Sequence, residues 1–461
     1  MKHFLSGKVA SVCLLLLLSG CGTYKRNINP ELANLQTRTF KHTGQKIDDW
    51  YTEDVVAQAQ SIQEWNMEMA IRHALILSPA LRASFEELGI SKADLVQAGF
   101  IQNPGLALLF QFPPSCNPEI GNPYLDIRAT MNISDFWQIP IKKKIARDDL
   151  EVQTSATLQL IIDITAETKL AYYNALYAQD QLAATSKVLQ QLEQLKATTQ
   201  QNDHQDYITD YDQFNTASTI GRWQIKKIEQ EKLMYTTFLD LRNIIGIEVS
   251  GDQLPLVPTW DILMQKLPDT KTLCDYAQQH SPIFQISRFK IERARHHQEL
   301  ERAKIFDDVN FGIEWTRDNS NTMYIGPTIS MDLPVFDQGQ VKIERAKREE
   351  QKMKYVLEND LAAVCGDILR LHKIIETIQH KIHIFNTVII PAAAQALSYT
   401  EHHGDVAQAN FSFFLSNHAA LLYEEYTRNE EHLALARALS DLEKKLGGSI
   451  PYSIATISSD K

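Results

Sequence analysis

Residues 324–346, YIGPTISMDLPVFDQGQVKIERA, decide how the rest of the chain is read. The run opens with alternation: Ile325, Pro327, Ile329, Met331 and Leu333 on one side, Gly326, Thr328, Ser330 and Asp332 on the other. A period of two places these sets on opposite faces of a β-strand. Pro334 ends the run, and beyond Phe336-Asp337-Gln338-Gly339 the chain turns charged and helical, with Lys342, Glu344, Arg345, Lys347, Arg348 and Glu349. Residues 124–146, YLDIRATMNISDFWQIPIKKKIA, have the same shape. There Ile127, Ala129, Met131 and Ile133 alternate with Asp126, Arg128, Thr130 and Asn132, followed by Phe136-Trp137, Pro140 and Lys142-Lys143-Lys144. Each copy is a strand that turns directly into a long polar helix.

The upstream flanks repeat too. Ala74 with Ser78-Pro79 is echoed by Ala277 with Ser281-Pro282, and Gln97-Ala98 before Leu106-Ala107-Leu108 by Arg302-Ala303 before Phe311-Gly312-Ile313. The offset changes by two residues between these anchors, so the duplication is degenerate. A long-period repeat fixes the architecture before any single element does. Here each unit reads helix, strand, strand, long helix, long helix.

The first twenty residues read as an address. Lys2 and Lys8 give a positive start, and Val9 to Leu18 is an apolar core too short to span a bilayer as a helix. It ends in Leu18-Ser19-Gly20-Cys21, which resembles the bacterial lipobox. That resemblance implies a covalent lipid on Cys21, and Gly22 after it favours the outer membrane over inner-membrane retention. An ordinary secretory signal followed by a chance Cys is the alternative. Without residues 1–20 the chain keeps 44 basic against 57 acidic residues, a formal charge of −13. Nucleic-acid binding rests on neutralising phosphates with Lys and Arg, so this balance argues against it. Cys116, Cys274 and Cys365 are too few and too scattered for a disulfide framework, and the fold is expected not to depend on one.

No later segment reaches eighteen consecutive apolar residues. Gly (18) and Pro (16) are scarce and gather at 103–123, 246–258 and 326–339, which leaves room for long uninterrupted helices. After Pro140 neither occurs until beyond Asn202. Sixty residues of helix extend about 90 Å, more than a compact domain needs. The expected order is a signal peptide (1–20), a lipid-anchored tether (21–66), a first repeat (67–246), a connector (247–271), a second repeat (272–448) and a loose tail (449–461). The first repeat places strands near 105–112 and 123–134 and a helical hairpin near 140–245. The second places strands near 308–316 and 324–333 and a hairpin near 340–446. Leu182, Leu189, Leu192 and Leu195 form a stripe suited to a coiled-coil hairpin. Gly246 is a natural end for the first.

Strands that cross lipid as a barrel turn apolar residues outward and polar residues inward, with aromatics at the interfaces. Val309, Phe311, Ile313, Trp315, Ile329 and Met331 fit the outward set, and Asn310, Gly312 and Glu314 the inward one. On that reading Ile313→Arg impairs assembly, whereas Gly312→Arg mainly narrows a pore. A soluble sheet covered on one face has the same alternation. Four strands cannot close a barrel, and open edges do not survive in hydrocarbon, so the membrane reading requires several copies.

The ordered motifs resemble the TolC-type outer-membrane efflux family over nearly the whole length beyond the signal. They are the doubled Ala-x-x-x-Ser-Pro entry, Gln97-Ala98-Gly99 with Asn103-Pro104, Leu333-Pro334-Val335-Phe336-Asp337-Gln338-Gly339, and Ile244-Ile245-Gly246. The anchor resembles that of the lipoprotein branch serving resistance-nodulation-division pumps. The resemblance implies a mixed, mostly α fold and a homotrimer sharing a twelve-stranded barrel, continued by a periplasmic α-helical tunnel. It implies a passive duct in the outer membrane of a Gram-negative bacterium, docked to a periplasmic adaptor and an inner-membrane pump, passing metal ions or organic toxicants. A pore-less coiled-coil lipoprotein and the exit duct of a type I secretion system are the alternatives. Aligned through Gly404 and Asp405, the constriction at the tunnel tip falls on Asn410 and Phe413, where relatives commonly carry two Asp. The first hairpin turn also departs, with Asn202-Asp203 in place of the usual Gly.

There is no His-Glu-x-x-His, phosphate-binding Gly loop or nucleophile elbow, and nothing points to an enzyme or a bound cofactor. His372, Glu376, His380 and His383 share one helix face at a spacing that can hold Zn²⁺ or Cu²⁺; a solvated face is the simpler reading. His296-His297 with Glu292 and Glu299 is a weaker set.

Overall fold

A computed structural model describes residues 37–38, 64–112, 122–201, 210–246, 256–258, 260, 264–402 and 409–452. The first repeat contains α1 (Met67–Leu77), α2 (Pro79–Gln97), β1 (Gly105–Gln111), β2 (Tyr124–Asn132), α3 (Asp135–Gln201) and α4 (Asp210–Ile245). The second contains α5 (Thr270–His280), α6 (Pro282–Ala303), a 3₁₀ turn (Lys304–Phe306), β3 (Asn310–Arg317), β4 (Met323–Ser330), α7 (Gln340–Ile384), a π-helical turn (Phe385–Ile389), α8 (Ile390–His402) and α9 (Ala409–Leu446). The strands form one antiparallel sheet in the order β1-β2-β3-β4. The fold is therefore mostly α with one small sheet, as expected. The strand bounds move by up to three residues.

The Ser-Pro pairs divide helices that the periodicity ran together. Ser78 caps α2, its Oγ accepting the Leu81 N–H at 3.3 Å, and Pro79 takes the first turn, where its missing N–H costs nothing. Ser281-Pro282 opens α6 in the same place. The glycine that ends each repeat packs on that repeat's own entry. Gly246 turns at φ 76° with the space for a Cβ taken by Leu77. Gly447 turns at φ 81°, and a Cβ there would lie 2.6 Å from Ser281 Cα and Pro282 Cδ. Entry and exit motifs thus meet in space.

The long helices pack around one core at the level of these junctions. Tyr172, Leu176, Leu241, Leu273, Phe284, Ile368, Ile375, Leu435 and Leu442 are buried there. Trp65, read as part of a tether, belongs to this core at 2 % exposure. It bridges in parallel to Leu256 of the connector. The Tyr172 hydroxyl holds both: its one O–H is shared between the carbonyls of Trp65 (2.9 Å) and Val257 (2.7 Å), and its oxygen accepts the Val257 N–H (3.0 Å). Burial pushes this phenol up to about 12. Trp260 stacks at a tilt on Tyr173 and donates its Nε1–H to Asp180. The connector is bound to the core at these points.

Cys274 of α5 and Cys365 of α7 are joined by a disulfide with Cα atoms 5.6 Å apart, within the usual span. This amends the expectation from cysteine count. One bridge closes a loop that contains both strands of the second repeat.

Along α3 the buried seam towards α4 and α9 runs through Gln181, Thr185, Val188, Leu189 and Leu192. Leu182 of the expected stripe is half-buried, and the Leu195 side chain lies outside the described residues. The polar seam positions are tied across the pair: Tyr426 of α9 hydrogen-bonds Thr185, its hydroxyl donates to the Gln181 backbone carbonyl at 3.1 Å, and Gln181 Nε2 donates to the Tyr426 carbonyl at 3.5 Å, while Gln181 Oε1 stays unpartnered. In α7 the buried stripe Ile368, Leu371, Ile375, Ile378 and Ile382 steps by three and four. Pro391 lacks the N–H that would bond Thr387, and the preceding turn widens until Ile390 N–H reaches Phe385 O. That extra residue delays the stripe by one position, and Leu397 is the next buried side chain.

Candidate functional site

The sheet is where the two repeats converge and where the two readings of the strands separate. Directly paired residues share a face, so the ladder sorts the side chains. Leu108 of β1 faces Ile127, Ile127 faces Trp315, and Trp315 faces Ile325 of β4. One step along the strands the row reads Leu106, Ala129, Ile313 and Pro327, and the next adds Met131, Phe311 and Ile329. Apart from Arg317 at the end of β3, this face is apolar, and no described helix covers it: Leu106 is 67 %, Ile313 55 % and Ile325 76 % exposed. A soluble sheet would bury this face.

The opposite face is polar across β2, β3 and β4, while β1 adds Ala107 and Leu109 to it. Arg128 donates to Glu314 at 3.1 Å and to Asp126 at 3.4 Å, and Asn132 donates to Asp308 at 3.4 Å. Glu314 and Thr316 of β3 share this face with Gly326 and Thr328 of β4. Of the expected outward residues, Phe311, Ile313, Trp315 and Ile329 stand in strands on the apolar face. Val309 precedes β3 but continues the ladder, its carbonyl accepting the Ile133 N–H at 2.8 Å. Met331 lies one residue beyond β4 and is exposed. Pro327 sits on an edge strand, as its missing N–H requires.

Gly312 corrects one expectation. It is buried between neighbouring strands, and a Cβ there would lie 2.5 Å from the Ala129 carbonyl oxygen and 2.9 Å from Thr328 Oγ1. Any side chain would force the strands apart, so Gly312→Arg breaks the sheet instead of narrowing a pore. Gly326 has nothing within 4 Å of a built Cβ, and it is the position on the polar face with room for a side chain.

Beneath the sheet the repeats are clamped. The β2–α3 junction docks into the α6–β3 junction: Ser134 Oγ hydrogen-bonds the Asp307 carbonyl, Gln138 reaches Asp307 Oδ1 at 2.8 Å, and Trp137 Nε1 donates to the Ala303 carbonyl at 3.2 Å. Lower down, α3 and α6 are tied by Lys144–Glu299, Asp148–His296 and Asp149–Arg293, the second at 2.6 Å. Burial pushes Asp148 up from the ordinary carboxylate range, and the hydrogen bond to His296 pulls it partly back. His296, a weak metal candidate, thus has a structural partner that spacing along one helix could not disclose.

The other metal candidates are not gathered either. His372 Nε2 bonds the Pro268 carbonyl at 3.0 Å and helps hold the connector; its Nδ1 lies 3.8 Å from Glu376, which also pairs with Lys373 at 3.4 Å, but among the described residues no third ligand joins these two. His380 and His383 stand exposed further along α7. Among the described residues no group of three His, Cys, Asp or Glu side chains is placed to hold a metal ion. No described helix is long and apolar enough to cross a membrane. Cys21 and Asp405 lie outside the described residues. Asn410 and Phe413 fall in the first turns of α9, where their side chains are likewise outside the description.

No family model and no curated protein matches the sequence. Solved structures do match the fold. The Neisseria gonorrhoeae outer membrane channel MtrE, in its open state, superposes with a TM-score of 0.68 at 14 % identity, over 83 % of this chain and 89 % of that one. The outer membrane protein VceC of Vibrio cholerae gives 0.65 at 15 %, over 83 % and 96 %. The Campylobacter jejuni CmeC outer membrane channel gives 0.65 at 12 %, over 85 % and 88 %. The chain has the fold of TolC-type outer-membrane channels.

Proposed function

We propose that the protein is the outer-membrane duct of a tripartite exporter, a passive channel and not an enzyme. The observation that carries this reading is the sheet: one face apolar but for Arg317 at its end and uncovered, the other carrying the charged and polar side chains of β2 and β3, with β1 and β4 left as open edges above long helical hairpins. Lipid stabilises such an apolar face and forbids the open edges, so copies of the chain close one barrel between them. Three copies give twelve strands, and the helical hairpins continue the barrel as a periplasmic tunnel. Similarity in fold to MtrE and CmeC, both outer membrane channels, supports the same reading. A periplasmic adaptor and a resistance-nodulation-division pump are its partners, and metal ions or organic toxicants its cargo. Cys21 carries a lipid, and Asn410 and Phe413, beside Asp405, line the closed tip.

The rival is a coiled-coil lipoprotein without a pore. Extraction of outer membranes followed by electrophoresis with and without boiling distinguishes them. The duct migrates as a heat-modifiable oligomer; a monomer indifferent to boiling contradicts it. Labelling with a palmitate analogue tests the anchor separately, and is lost in Cys21→Ala if the anchor is right.

A further inference from the structure

The apolar face of the sheet carries a single charge. Its last row, farthest from the helices, reads Phe110, Leu125, Arg317 and Met323, and every other position the ladder places on this face is apolar. A cation turned towards lipid is costly in mid-bilayer and nearly free at the edges. Arg317 stands at an edge. From Val309, at the helix end of β3, a strand tilted about 40° climbs roughly 21 Å to Arg317 at about 3.4 Å per residue, against an apolar band about 25 Å tall. The guanidinium therefore lies at the level of the outer headgroups.

Nothing in the chain engages it. Arg128, on the polar face, donates to Glu314 and Asp126. The Arg317 guanidinium makes no ion pair or hydrogen bond among the described residues, and its Nε is shut off from solvent without an acceptor. The adjoining carboxylate, Asp318, is occupied by its own turn. Its Oδ1 accepts the N–H of Ser320 at 2.9 Å and that of Thr322 at 2.8 Å, and its Oδ2 accepts from the Tyr324 hydroxyl at 3.4 Å. As β3 is an inner strand flanked by β2 and β4 of the same chain, no strand of a neighbouring copy lies beside Arg317 either.

A guanidinium offers a planar fork of donors that fits a phosphate with two hydrogen bonds. Resting on the proposed outer-membrane duct, we infer that Arg317 binds a phosphate of the outer-leaflet glycolipid, lipopolysaccharide, whose acyl chains run down past Met323 and Ile325. The occupant follows from the two parts of the surface. The unpaired cation at headgroup height takes an anion, and the exposed side chains of Met323 (63 %) and Ile325 (76 %) take hydrocarbon below it. A free anion would satisfy the first and leave the second bare. Each copy in the oligomer carries one such site.

The full-length oligomer, extracted from outer membranes and stripped of lipid in detergent, tests this. It is titrated with lipopolysaccharide, with the same glycolipid after removal of its lipid A phosphates, and with inorganic phosphate, and bound molecules are counted by native mass spectrometry. Wild type should bind the intact glycolipid about tenfold more tightly than the dephosphorylated one. Arg317→Gln should bind both as weakly as wild type binds the dephosphorylated form, and inorganic phosphate should not displace the glycolipid at equal concentration. Should Arg317→Gln not assemble, Arg317→Lys takes its place and should weaken binding about threefold, because a point charge replaces the fork. Wild type that does not distinguish the two glycolipids overturns the site, and so does a variant that keeps the full preference. Displacement by inorganic phosphate at equal concentration overturns the lipid as occupant. All three results leave the duct standing if the oligomer is heat-modifiable. Protein that stays monomeric and outside the membrane fraction rejects the duct, and the site with it.

Discussion

At the residue scale, three glycines in this chain differ in what they permit. Gly312 lies against a carbonyl oxygen and admits no Cβ, Gly447 is pressed against Ser281-Pro282, and Gly326 faces open space. Gly312→Ala should therefore lower the yield of assembled oligomer several-fold, while Gly326→Arg assembles normally; oligomer yield in membrane extracts checks both. Ile313→Arg places a charge on the apolar face at a cost of about 2–4 kcal/mol near mid-bilayer and should reduce the same yield. Tyr172 makes a different prediction. Tyr172→Phe strips a buried partner from the Trp65 and Val257 carbonyls, a loss of about 1–3 kcal/mol seen as a lower Tm. Burial holds the phenols of Tyr172, Tyr177 and Tyr452 at about 12, above the ordinary value of 10. Groups raised in the folded state favour it below the unfolded value and lose that favour as pH climbs through the folded one. Thermal stability should accordingly hold up to pH 10 and fall between pH 10 and 12. Which glycine tolerates a side chain was invisible in the sequence, because alternation assigns a face but not the distance to the neighbouring strand.

At the element scale, the strands and long helices were legible because their periods are strong and occur twice. Helix ends were less so. Ser281-Pro282 split a run that apolar spacing joined, since a Pro at a helix start leaves the spacing beyond it intact. Pro391 was visible as an interruption, but not the π turn that accommodates it or the one-residue delay of the buried stripe. Gln181 and Thr185 escaped a stripe read from leucines, because their partner Tyr426 lies some 240 residues away in sequence. The Cys274–Cys365 bridge escaped for a related reason: spacing says nothing of which distant helices meet. It closes a separation of 91 residues, and in the chain-entropy view a loop that long is worth about 4–5 kcal/mol. Cys274→Ser/Cys365→Ser, or reduction of the native protein, should lower the Tm of the helical transition while leaving the assembled barrel heat-modifiable. An unchanged Tm would show that packing of α5 on α7 suffices without the bond.

For the whole molecule, the duplication explains more than either repeat alone. It places two hairpins in one sheet, brings each repeat's terminal glycine onto that repeat's own entry, and leaves β1 and β4 as open edges and Leu333, Val335 and Phe336 exposed in the single chain. The family resemblance implied a shared barrel, and the sheet supplies the reason one chain cannot form it. Single-channel recording of the purified oligomer in planar bilayers tests the proposed duct most directly. The wild type should give stepwise, ohmic conductance, and Gly326→Arg, assembling equally well, should give smaller steps because it adds three cations and three side chains to the polar lumen. Assembled oligomer that gives no steps, or steps of the same size with Gly326→Arg, would contradict a duct lined by the polar face of this sheet.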